Sequence, residues 1–287
     1  MTVQGATGRA APRRSAERRP ARAVKPLNRE NGLALGLSVT WFGLLVLIPL
    51  AAVVAQAATG GWGNFFEVLG NERNLAAIKL TVVEAGGLTL VNVVIGTAIA
   101  WVLVRERFWG AAVLDVVIDI PFALPTIVTG LVLLLLYGPQ SPMGVDVAFS
   151  QIAIALAFAF VTLPFVVRTV QPVLEELDKD VEEAAASMGA DAFTTFRRVI
   201  LPSLVPAIAA GAALSFARAI GEYGSLVLLS GNKPFATEVV SVRVISYIEG
   251  GDLASASVLA TVMLVIALVV IAALDLIQRR VTRRGQG

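Results

Sequence analysis

The sequence predicts an all-α integral membrane protein with six transmembrane helices. Of its 287 residues, 56% are hydrophobic and only 15% charged, a balance foreign to soluble domains. The apolar residues gather in six runs, each near or beyond the roughly 20 residues that cross a bilayer. Lys and Arg collect in alternate loops, as the positive-inside rule requires of a multi-pass chain. The chain has no Cys and no His, which excludes disulfides, thiolate nucleophiles, haem ligation by His and ordinary zinc sites. No glycine loop ends in Lys-Ser or Lys-Thr, so any use of ATP falls to another chain. No enzyme activity, cofactor or metal is expected here.

Residues 1–31 carry Arg13, Arg14, Arg18, Arg19, Arg22, Lys25 and Arg29 among Ala and Pro. Such a segment cannot build a core and is expected to be a disordered tail. Basic tails also bind nucleic acid or anionic lipid, but ahead of a membrane span this one is expected to hold the N-terminus in the cytoplasm. The apolar runs cover about Leu33–Ala58, Leu80–Val104, Ala111–Tyr137, Phe149–Gln171, Leu201–Leu229 and Ala254–Ile277. The first is longer than the core of a signal peptide, which favours a retained helix. A six-helix domain over 32–278 and a basic tail over 279–287 follow.

With both termini inside, eighteen Lys or Arg fall on the cytoplasmic side, including Arg105, Arg107, Arg168, Lys179, Arg197, Arg198 and the tail from Arg279. Four (Arg73, Lys79, Lys233, Arg243) fall outside, and Arg218 lies in a helix. Prolines 49, 121, 125, 164, 202 and 206 favour kinks. Gly86, Gly87, Gly96, Gly130 and Gly211 allow close helix packing.

One polar stretch between two long apolar runs must lie at a membrane face. Asp180 is placed to N-cap a short helix, with Glu183 completing a capping box. Gly189 can close that helix in the left-handed conformation, and Asp191 can cap a second one, which Arg197 and Arg198 finish. Ala184, Ala185, Met188, Phe193 and Phe196 would then offer small and apolar side chains in a loop, which suits a docking element or an amphipathic connector on lipid.

Inside the spans, Arg218 and Glu222 stand four apart on one helical face. They can form an internal ion pair or a polar lining in which Arg218 offers planar donors to an oxyanion. Asp115 and Asp119 can cap, pair with Arg105 or Arg107, or line the inner mouth.

The spacing Glu183-Ala184-Ala185, three residues, Gly189, nine residues, Val199, one residue, Leu201-Pro202 resembles the EAA loop of ABC importer permeases, with Val199 where that pattern carries Ile. Phe216-Ala217-Arg218-Ala219-Ile220-Gly221-Glu222-Tyr223-Gly224-Ser225, then Ser230-Gly231-Asn232, is similar to the sulfate/thiosulfate branch of that family, as is Asp119-Ile120-Pro121-Phe122-Ala123-Leu124-Pro125-Thr126.

The resemblance implies a MetI-like permease with cytoplasmic coupling helices over about 178–202, in which Glu183, Ala184, Ala185, Met188, Gly189, Phe193, Leu201 and Pro202 couple to an ATPase. It implies Arg218, Glu222, Tyr223 and Ser225 along the substrate path. The partners implied are a second, homologous permease subunit, two ATP-binding cassette subunits, a periplasmic or lipid-anchored binding protein and membrane lipid, but no nucleic acid. The location implied is the bacterial inner or plasma membrane. A molybdate or tungstate permease and a secondary anion transporter are the alternatives. A membrane-embedded enzyme would call for His, Cys or clustered acids.

Overall fold

The computed structural model describes residues 29–284. The expected basic tail therefore lies outside the described residues, except that Arg29–Asn31 begin the first helix. The chain divides into two units, Met1–Pro49 and Leu50–Gly287. The first contains α1 (Arg29–Phe42), a π-helical turn (Gly43–Leu47) and the start of α2 (Ile48–Thr59). The stretch Gly32–Thr59 is long and apolar enough to cross a membrane.

The second unit continues with α3 (Gly61–Gly70), α4 (Glu72–Arg105), α5 (Ala111–Ala123), α6 (Thr126–Tyr137), α7 (Gln151–Glu176), α8 (Lys179–Ser187) and α9 (Ala192–Thr195). After a second π turn (Phe196–Ile200) come α10 (Leu201–Ile220), α11 (Gly224–Leu229), α12 (Val240–Glu249) and α13 (Leu253–Arg284). Of these, α4, α7, the continuous stretch Ala192–Ile220 and α13 are each long and apolar enough to span. The bent pair α5–α6 brings the number to six if it is one span, so the described residues form an all-helical membrane protein of five to six spans.

Local sequence sets the ends of these helices. The Asn71 side chain accepts the N–H groups of Arg73 and Asn74 and starts α4. Ser150 does the same for α7 through Ala153, and Asp252 for α13 through Ser255. Each satisfies N–H groups that the first helical turn leaves without a carbonyl.

The centre of the second unit is α7. It buries Ile154, Phe158, Val161, Val166, Val170 and Leu174 at helical spacing and packs between α4 and α10. Small residues set how closely these helices approach. A Cβ on Gly96 would lie 2.9 Å from the Val166 side chain, and one on Gly211 would lie 2.3 Å from Thr169 Oγ1 and 3.0 Å from Val166 Cα. Gly86 and Gly87 differ, because a Cβ there meets nothing within 4 Å. Asn92 donates to Thr162 Oγ1 at 2.8 Å and to Ala159 O at 3.2 Å, which satisfies a buried amide at the α4–α7 seam.

Two of the expected single helices are broken. The run 111–137 is α5 and α6, which meet at 117°. Leu124 is extended (φ −92°, ψ 133°) because the ring of Pro125 disfavours helical backbone at the preceding residue. The run 201–229 stops at Ile220 and resumes at Gly224. The short helix α12 is too brief and too polar to register as a span.

Candidate functional site

The loop between α7 and α10 is a pair of tightly tied turns. Its N-cap differs from the expected one. Asp178, not Asp180, caps α8, its Oδ1 accepting the Asp180 N–H at 3.0 Å. Glu183 therefore lies beyond the third helical position and no capping box forms, because Asp178 is the extended residue (φ −64°, ψ 123°) and the helix begins two residues earlier. At the other end Gly189 takes φ +86°. Gly189 N–H donates to Ala186 O at 2.9 Å and Ala190 N–H to Ala185 O at 3.1 Å, the two bonds of a Schellman closure.

Asp191 caps α9, accepting the Thr194 N–H at 2.7 Å. The hydroxyl and N–H of Thr194 hold the Asp191 carboxyl below the usual carboxylate range. Arg197 and Arg198 do not end a helix, which corrects a second expectation. They lie in the π turn that joins α9 to α10 without interruption. Pro202 lacks an N–H, and the wide turn before it absorbs the missing hydrogen bond.

This loop is anchored on one side and free on the other. Arg105, at the end of α4, pairs with Glu182 of α8, and Phe196 packs edge-on against Trp101 with centroids 5.5 Å apart. Ala185 is buried. Met188 and Phe193, however, are 84% and 70% exposed, with Glu183 and Ala184 exposed beside them. Phe196, read from sequence as part of the docking face, is therefore a strut.

The second group of residues surrounds the break after α10. Glu222 is 2% exposed. Its Oε1 accepts the Ser225 N–H at 2.9 Å and the Ser225 hydroxyl at 2.8 Å, so it caps α11. Its Oε2 lies 2.6 Å from Arg218 Nη1, a Coulombic contact without an aligned N–H. The Ser241 hydroxyl donates to Glu222 O at 2.7 Å.

Arg218 and Glu222 thus pair as their spacing suggests. The Arg218 guanidinium makes no hydrogen bond among the described residues and is partly exposed. Tyr223 lines a small cavity with Ile220, Ser241 and Val244, whereas Ser225 is fully buried. A Cβ on Gly224 would lie 2.2 Å from Thr126 Oγ1, and one on Gly130 would lie 2.6 Å from Ser225 O. The two broken spans therefore meet through glycines, α6 against α11.

Asp115 and Asp119 pair with neither Arg105 nor Arg107; both grip Arg168. Arg168 Nε and Nη2 donate to the two oxygens of Asp119 at 2.8 Å, Nη1 to Asp115 Oδ1 at 2.6 Å and to Gln171 at 2.7 Å, and Nη2 to Asp115 O at 2.8 Å. All five N–H groups of the guanidinium are engaged. Arg168 sits inside α7 rather than in the loop after it. Its position within the fourth apolar run was the available signal.

The family described as "Binding-protein-dependent transport system inner membrane component" matches residues 92–285. The chain is 41% identical over 262 residues to the sulfate transport system permease protein CysT of Escherichia coli (strain K12), covering 89% of this chain and 95% of that one. It is 40% identical over 250 residues to the protein of the same name from Synechocystis sp., covering 85% and 87%. Among solved structures it resembles a bacterial alginate ABC transporter in complex with an alginate pentasaccharide-bound periplasmic protein (TM-score 0.73, 18% identity, 88% of this chain and 94% of that one). It also resembles the MetNI methionine ABC transporter in an inward-facing conformation (TM-score 0.51, 20% identity, 75% and 98%). With its broken spans, its tied loop and these relatives, the chain belongs to the family of inner membrane components of binding-protein-dependent transport systems.

Proposed function

We propose that this chain is the permease subunit of an ATP-driven importer of sulfate or thiosulfate. It would work with a second permease subunit, two ATP-binding cassette subunits and a binding protein that delivers the anion from outside. The observation that carries the ATPase coupling is the exposure of Met188 and Phe193 on a loop whose backbone is fixed by two aspartate caps and a left-handed glycine. Apolar side chains held rigidly in a polar loop are suited to a partner's groove. On this reading Glu183, Ala184, Ala185, Met188, Gly189, Phe193, Leu201 and Pro202 form or support the docking face, and both termini are cytoplasmic. The choice of anion rests on the relatives named as sulfate permeases.

The substrate path would run beside the break after α10. Arg218 has unused donors and Tyr223 borders a cavity, so these two are the members an oxyanion can reach. Glu222 and Ser225 hold the break in shape. Binding of ATP would close the two ATPase subunits, carry the coupling loop with them and switch the spans between outward and inward openings.

The test uses the absence of Cys. Met188→Cys gives this subunit a single thiol. In the assembled complex it should cross-link to the ATPase with a short bifunctional reagent, in a way that changes when ATP is added. A thiol that reacts only with lipid-soluble reagents and never reaches the ATPase would place the loop on the bilayer instead. Uptake that survives ATP depletion with ion gradients intact would favour a secondary transporter.

A further inference from the structure

Glu84 lies inside α4, about 18 Å along the helix from its start at Glu72 at 1.5 Å per residue. It makes no ion pair or hydrogen bond with any described residue. It is partly buried, between Leu80 and Leu88 one turn away on either side, and both of those pack into the core with Tyr223 and Ile220. A bare carboxylate facing lipid costs several kcal/mol, and such residues turn to protein or water and find a counter-charge. A path for a dianion is a poor destination, because a carboxylate there would repel the cargo. The flanking surface is also apolar: Val83, Leu90 and Val91 are exposed, and Gly86 and Gly87 leave a notch in which an added Cβ meets nothing within 4 Å. A helix can approach closely there.

We propose that Glu84 is a docking carboxylate that pairs with a Lys or Arg on a membrane helix of the second permease subunit. This rests on the paired-permease reading above. The occupant is a different chain rather than a second copy of this one. Within the described helices Arg168 is paired with Asp115 and Asp119 and Arg218 with Glu222, and Lys79, the nearest cation on α4, stands five residues from Glu84, about 7.5 Å along the axis, so a symmetric second copy would bring it to a different depth.

The experiment co-expresses tagged chain with the second permease, the ATPase subunits and the binding protein, and measures the second permease recovered per tagged chain. Wild type and Glu84→Asp should recover it equally. Glu84→Lys should recover at least about tenfold less, since it replaces a shielded attraction with a like-charge contact. A Lys→Glu or Arg→Glu change at one position in the partner's spans should restore Glu84→Lys, which a misfolded chain would not allow. Glu84→Cys, the only thiol in this chain, should be protected from a small lipid-permeant thiol reagent in the complex and react when the chain is expressed alone. Wild-type recovery by Glu84→Lys, restoration by none of the partner's changes, or equal labelling of Glu84→Cys in both settings would overturn the pairing. A wild-type chain that recovers only copies of itself would overturn the paired-permease reading, and the pairing with it.

Discussion

Gly189 closes the loop between α7 and α10 at φ +86°, and its replacement gives a graded test of whether that closure matters. A Cβ there meets nothing within 4 Å, so Gly189→Ala adds no clash. Its cost is the left-handed backbone alone, about 1–2 kcal/mol for a residue with a Cβ. At about 1.4 kcal/mol per factor of ten, the closed turn should lose roughly 5- to 30-fold in population. Asn tolerates this conformation better, so Gly189→Asn should fall between. Gly189→Pro fixes φ near −65° and deletes the N–H that bonds Ala186 O, and should abolish the closure. Because α8 has nine residues and is anchored chiefly through Glu182 and Ala185, the strain should open the loop locally and leave the spans folded. Uptake per recovered complex should fall in the order Gly, Asn, Ala, Pro, with similar amounts of chain in the membrane. Equal uptake by all four, or losses that track only chain abundance, would refute the reasoning.

Gly130→Ala places a Cβ 2.6 Å from Ser225 O and 2.8 Å from its Cα, backbone atoms that cannot move aside. It should lower the thermal midpoint of the chain purified without its partners, whereas Gly87→Ala, whose Cβ meets nothing within 4 Å in this chain, should leave that midpoint unchanged or raise it through better helix propensity. Arg168→Lys cannot reproduce the five-donor grip on Asp115, Asp119 and Gln171. It should cost roughly 1–3 kcal/mol in denaturation, part of the full value for a buried pair because both aspartates are exposed to solvent or partner. Asp191 has a depressed pKa, so its cap is fully present above the ordinary carboxylate range and is lost as pH falls through the lowered value. Hydrogen exchange at Thr194 N–H should therefore show no loss of protection from this cap between about pH 6 and 8.

The spans were legible because burial in lipid needs long apolar runs, and those survive any detail of packing. The turns of the loop between α7 and α10 were legible because Gly189 and Asp191 act through local backbone rules. The cap of α8 was misplaced by two residues because both Asp178 and Asp180 can accept an N–H, and only the extended backbone of Asp178 itself decides between them. Prolines 121 and 125 announced a disturbance, but the 117° bend depends on α6 seating against α11 through Gly130 and Gly224, a contact about a hundred residues apart in sequence. The partners of Asp115 and Asp119 were equally non-local. Arg105 and Arg107 are near in sequence, yet the register of α5 on α7 brings Arg168 to both aspartates. Glu84 escaped notice because one carboxylate in an apolar run has no motif, and only its lack of a partner among the described residues sets it apart.

The central claim is ATP-driven movement of sulfate through this subunit. It is tested most directly by uptake of labelled sulfate into proteoliposomes holding the complete complex, with molybdate as competitor. Uptake that requires ATP and is not competed by molybdate, and that Arg218→Ala removes without loss of assembly, is the predicted result. Uptake independent of ATP, or competed out by molybdate, would contradict it.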